Sequence, residues 1–196
     1  MIPALERHLA LRNPRFLCRG ACDTGRELVV PVTHEVGRPA GDAGLRKLRE
    51  LAGPAHDLLA EIYRGCDGLR LHTHGGNAGL RVFPIEHLQH ENAEWREWLS
   101  GLAEEELYPF QLGGFAFATI EGSGNYFVAH DGRVYYSDHD GGDDDCWGDL
   151  DAFVARVVSD PVRFLSEAGG YTRYSDGRSN EQFIPYSFVH GSEAVQ

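Results

Sequence analysis

Between Val134 and Phe153 the chain reads VYYSDHDGGDDDCWGDLDAF, with seven aspartates, one histidine and no lysine or arginine. Carboxylates this dense can cage a hard divalent cation, act as an acid/base pair, or present an anionic surface to a basic partner. Spacing tests the first of these. A calcium loop counted from Asp138 finds Asp140 at its third position, but Gly142 stands where a ligand is needed and Asp143 where the sharp-turn glycine belongs. The pattern fails. For acid/base work the carboxylates and histidines are plentiful, yet no pair is singled out by position.

Other reactive residues fare no better. HEVGR, from His34 to Arg38, opens like a zinc-protease helix but has Arg38 in place of the second histidine. Cys18 and Cys22 are spaced tolerably for zinc, with no second pair of ligands at a usual distance. His72 and His74 fall on one face of a strand and read as an exposed pair. Ser123 lies between glycines without a G-x-S-x-G elbow, and HTHGGNAG lacks the lysine of a phosphate loop. Cys66 reads as a small buried hydrophobe. No catalytic residue, metal site or cofactor is expected. The alternative from another class is a metal-dependent hydrolase using residues 138–149.

The elements around these residues are legible from periodicity. Leu58, Leu59, Ile62, Tyr63 and Cys66 recur at helical spacing after Pro54, and Gly65 and Gly68 stop that helix. LRLHT and GLRVF read as short strands. A second helix opens at Pro84 with Ile85, Leu88, Trp95 and Leu99 on one stripe, Asn92 being its polar exception. GFAFATI is a strand, and ELVVPVTH is one that Pro31 confines to an edge or a bulge. NYFVAH and RVYYSD flank Asp131-Gly132, the pair that a two-residue type I′ hairpin favours. That loop predicts Val128 opposite Tyr135 and Asn125 opposite Asp138, close enough for a hydrogen bond. Leu150, Phe153, Val154, Val157 and Val158 give a further helix with Asp149 near its start, and Asp160 caps a helical segment ending at Gly169. Helices and strands do not alternate as in a parallel α/β protein, so the expected class is α+β, a mostly antiparallel sheet with helices packed against it.

The 196 residues suit one globular domain with decorated ends, and a 42% hydrophobic content can fill a core. A net charge of −12, from 18 basic and 30 acidic residues, argues against nucleic acid and anionic membranes as partners. It favours a basic protein or a cation. Four scattered cysteines do not make a disulfide framework. The N-terminal residues lack a long apolar run, and no stretch approaches the ~18 apolar residues of a membrane span. A cytoplasmic protein is expected.

From Pro54 to about Leu165 the chain resembles the SUKH superfamily, which groups a fungal cell-wall synthesis regulator with many bacterial immunity proteins. The resemblance rests on the proline-led helix PAHDLLAEIYRGCDGL, then RVFP and the helix from PIEHL. Gly124–Asn125–Tyr126–Phe127, Val134–Tyr135–Tyr136 and Asp138–His139–Asp140 follow in order, and Phe153 sits in the closing helix. It implies a SUKH-like α+β domain over 45–169, without catalytic residues. Residues 1–44 stand apart as an N-terminal extension, and 170–196 as an aromatic-rich arm. It also implies a binding role, in which immunity proteins neutralise a toxin, often a nuclease or a deaminase. The surface expected to meet a basic toxin domain is Asp138, His139, Asp140, Asp143, Asp144 and Asp145. Trp147 is either an aromatic anchor in that surface or a pin holding the loop to the core. A regulatory interaction scaffold without a toxin is the third reading.

Overall fold

The computed structural model describes residues 2–10, 15–19, 28–31, 33–73, 80–101, 113–120, 124–138, 145–159 and 182–185. Its main feature is a seven-stranded antiparallel sheet whose strands lie side by side in chain order. These strands are β3 (Thr33–Val36), β4 (Leu69–Thr73), β5 (Leu80–Val82), β6 (Phe115–Ile120), β7 (Gly124–Val128), β8 (Val134–Asp138) and β9 (Asp145–Gly148). A smaller sheet orders β10 (Gln182–Pro185), β1 (Arg15–Arg19) and β2 (Leu28–Pro31), all antiparallel. The helices are α1 (Pro3–Leu9), α2 (Asp42–Ala52), α3 (His56–Gly65), α4 (Ile85–Ser100) and α5 (Leu150–Ser159), with a 3₁₀ turn at Gly53–Ala55. The α+β class read from the sequence is the observed one.

Local chemistry sets these boundaries. ELVVPVTH divides between two sheets: Pro31 is the last residue of the outer strand β2, and Thr33 begins the outer strand β3. Proline cannot donate to a ladder, so a strand carrying it must end or lie at an edge. Helix α2 was not foreseen, although Leu45, Leu48, Leu51 and Ala52 recur at helical spacing. Helix α3 starts at His56 because Pro54 is taken into the 3₁₀ turn before it. Residues 1–44 supply α1 and β3 to the same core and sheet as the rest, and Ile2 and Leu5 are buried there. The segment from Asp160 to Gly169 lies outside the described residues. Of residues 170–196, the part described is β10.

The hairpin of β7 and β8 corrects the register expected for it. Val128 faces Val134, Phe127 faces Tyr135, and Asn125 faces Ser137 rather than Asp138. The loop holds three residues, not two. Gly132 N–H donates to the Ala129 carbonyl, and Ala129 N–H donates to the Arg133 carbonyl, both at 3.0 Å. Gly132 follows at φ 76°, the left-handed conformation that closes a three-residue loop. Asp131 stabilises it by accepting from Arg133 N–H at 3.0 Å and from the Tyr135 hydroxyl at 2.9 Å. A shift of one residue decides which rings share a face. The observed register sets Tyr126 beside Tyr136, with centroids 5.0 Å apart, and Phe127 beside Tyr135 at 5.8 Å.

Both faces of the sheet are covered near its centre. On one, Leu69, Leu71, Val82, Phe117, Tyr126 and Val134 meet α1, α3 and α5. On the other, Ala116, Phe127 and Ala129 meet Trp95 and Leu99 of α4. Consecutive residues of β7 are therefore buried on opposite sides, which explains its unbroken apolar run. Asn92, the polar exception in α4, is the link to β6. Its Nδ2 donates to the carbonyls of Leu88 at 2.9 Å and Ala116 at 2.8 Å, and Ala116 N–H donates to its Oδ1 at 2.9 Å. The side chain thus acts as a short piece of strand where β5 has already given way to Pro84.

Replacing Asn92 by alanine orphans two buried backbone groups of Ala116. The expected cost is about 2–4 kcal/mol, read as a lower urea midpoint with little change in slope.

Candidate functional site: the acidic edge of the sheet

The acidic stretch is not one open loop, because Asp145–Gly148 within it is a strand. Strand β9 returns along β8, with Tyr136 facing Asp145, Tyr135 facing Cys146 and Val134 facing Gly148. This strand was missed in the sequence because only Trp147 among its four residues is apolar, buried and large, too little for an alternating pattern. Asp138 is the last residue of β8, opposite Gly124, and Asp145 is the first of β9. Pairing therefore brings these two aspartates to the same end of the sheet. His139, Asp140, Asp143 and Asp144 lie in the connection and outside the described residues, as do the side chains of Asp138 and Asp145.

Trp147 has a defined place. Its indole is 3% exposed and lies edge-on to Tyr126, with centroids 4.9 Å apart, and 5.9 Å from Phe153. The Arg156 guanidinium sits 3.9 Å from the centroid of the same indole. Trp147 pins β9 to the core, so its ring is not presented to solvent as an anchor. Arg156 is also the first basic residue after Arg133 along the chain.

Helix α5 leaves this edge through a cap. Asp149 Oδ1 accepts from Ala152 N–H at 2.8 Å, three residues on, and its carbonyl accepts from Phe153 N–H at 2.9 Å. Asp149, read from the sequence only as lying near the helix start, is its N-cap. Asp151, exposed in the first turn, is favoured by the helix dipole. Asp149 and Asp151 follow the other end of β9, where Gly148 faces Val134, and so stand a strand length away from the β8–β9 connection while serving the helix.

The other reactive residues do not assemble. Among the described residues, no three of His, Cys, Asp and Glu converge where a metal ion would sit. The side chain of His72, and His74 altogether, lie outside the described residues. His34, which opened the failed zinc motif, packs against His8 of α1 with centroids 4.8 Å apart and the rings tilted by 41°. Burial, then the neighbouring His8, lowers the His34 pKa from 6.5 to about 4, and burial also lowers that of His8. Cys66 is fully buried, and burial followed by the nearby Asp67 pushes its thiol up to about 11. Cys146 is exposed on β9. Among the described residues no helix is long and apolar enough to cross a membrane. Compared with known proteins, the chain matches no family model and no curated relative.

The histidine pair makes stability depend on pH. The folded His34 takes its proton near pH 4, below the unfolded value of 6.5, so the unfolded chain binds protons first on acidification. The stabilisation is complete above the unfolded value and is lost as pH falls through the folded one. Denaturation at stepped pH should show a loss of roughly 1–3 kcal/mol across that window. A His34→Gln variant should flatten it. Thiol labelling with mass mapping should modify Cys146 in the native protein and Cys66 only on unfolding.

Proposed function

We propose that the chain is a non-enzymatic binding protein of the SUKH type, acting as a bacterial immunity protein against a basic toxin domain. The observation that carries this reading is the pairing of β8 with β9, which gathers a run of aspartates at one end of the sheet. From Asp138 to Asp145 the sequence has five aspartates and no lysine or arginine.

Asp149 caps α5 and has a duty in the fold. Asp143, Asp144 and Asp145 follow one another in the sequence, and their like charges repel in the free protein. A basic partner relieves that repulsion and is drawn in by the field, which raises the association rate at low salt. Toxins that cut or modify nucleic acid present basic clefts to their substrate, and an acidic edge competes for such a cleft. With Trp147 inside the core, the contact is made by the aspartates and by His139. The partner is a protein; no cofactor, nucleic acid or membrane is required. The protein works in the cytoplasm, where an incoming toxin acts.

The test is capture with the purified full chain as bait, from lysate of the source cells and close relatives, at low and high salt. An Asp143→Asn, Asp144→Asn, Asp145→Asn triple variant runs in parallel. Recovery of one basic polypeptide, weakened by salt and by the variant, is the expected result, and co-expression should relieve that polypeptide's toxicity. Removing three phosphate-mimicking charges should lower affinity by roughly tenfold or more. Micromolar binding of calcium, magnesium or manganese by the same stretch, with turnover of a substrate and no protein captured, would overturn it in favour of a hydrolase.

A further inference from the structure

Strands β4 and β5 carry an arginine pair on the side of the sheet away from α5. Leu69, Leu71, Leu80 and Val82 point into the α5-side core, so alternation sends Arg70 and Arg81 to the other face. The ladder sets these two residues directly opposite each other. Like charges facing across a ladder are unfavourable, and the chain has only 18 basic residues to place. Each guanidinium meets a carboxylate. Arg70 Nη1 donates to Glu35 of β3 at 3.1 Å, and Arg81 Nη2 donates to Glu91 of α4 at 3.4 Å. The same Nη2 lies 3.4 Å from His87 Nδ1.

Arg70, Arg81, Glu35 and His87 line an open cleft of about 500 Å³ between the β3–β5 face and the first turn of α4. The cleft is held open by backbone. Gly37 N–H donates to the Gly68 carbonyl at 2.8 Å and Asp67 N–H to the Arg38 carbonyl at 2.7 Å, while Asp67 Oδ1 accepts from Ile85 N–H at 2.7 Å to start α4. A Cβ at Gly37 would lie 2.0 Å from the Asp67 carbonyl oxygen, so only glycine allows this crossing. Val36, at 47% exposure, is the one large hydrophobic residue exposed among the described residues, and it forms a lip of the same cleft.

We propose that this cleft binds an anionic group, a carboxylate or a phosphate, between Arg70 and Arg81. A guanidinium offers five N–H donors in a planar fork that matches either oxyanion. Among the described residues, the contacts of Arg81 with His87 and Glu91 run through one nitrogen, Nη2. Glu35 is the more exposed of the two counter-ions and is the one an incoming anion displaces. The cleft is a separate site from the β8–β9 edge and does not depend on the immunity reading.

The experiment titrates isotope-labelled full chain with inorganic phosphate and, separately, with succinate, at constant ionic strength set by sodium chloride. Saturable shifts of the Arg81 side-chain N–H and of the β4 and β5 amides are expected. Arg81→Gln should weaken binding roughly tenfold, and Glu35→Gln, which removes the competing carboxylate, should tighten it by roughly threefold. Saturation by phosphate alone or by succinate alone assigns the ligand class. Shifts that never saturate, or that are unchanged in Arg81→Gln, overturn the proposal. If Arg81→Gln perturbs the fold, Glu35→Gln decides, because a purely structural ion pair gives it no tighter binding.

Discussion

The ring of Phe153 lies where three others converge, 5.4 Å from Phe117, 5.0 Å from Tyr126 and 5.9 Å from Trp147, measured between centroids. These residues come from α5, β6, β7 and β9. A cluster of this size supplies a large apolar burial together with edge-to-face contacts. It fixes where β9 lies along β8 and where α5 departs, and so fixes where the acidic connection emerges. Without that cluster β9 would have little to hold it, since its other residues are small or polar.

The meander order has a second consequence. Because every strand neighbours its predecessor in sequence, each connection returns to an end of the sheet, and its chemistry is concentrated there. The β8–β9 connection at one margin carries the aspartates. The β3–β5 margin carries the paired arginines, each already matched to a glutamate. The two margins differ in electrostatic character although the chain as a whole is acidic. Burial against α4 between them depends on Asn92, whose amide replaces the strand that Pro84 ends.

Long elements with strong periodicity were legible in the sequence. Helix α4 was read with its polar exception and α5 with Asp149 near its start. Short elements were not. Strand β9 has one inward side chain, and α2 is the most polar of the longer helices, carrying Arg46, Lys47, Arg49 and Glu50 among its leucines. The β7–β8 register was misjudged because Asp131-Gly132 fits two loop lengths. Burial of Tyr126 beside Tyr136, which no local pattern expresses, selects the longer one. At the candidate site the clustering of charge was visible at once. The hairpin that organises it, and the inward turn of Trp147, depend on contacts distant in sequence.

The central claim is that the acidic β8–β9 edge is the surface a protein partner covers. Its most direct test is hydrogen–deuterium exchange of the chain alone and in complex with the captured partner. Protection centred on residues 138–149, with the β3–β5 face unchanged, is the predicted footprint. Protection confined to other surfaces, with 138–149 exchanging as in the free chain, would contradict it.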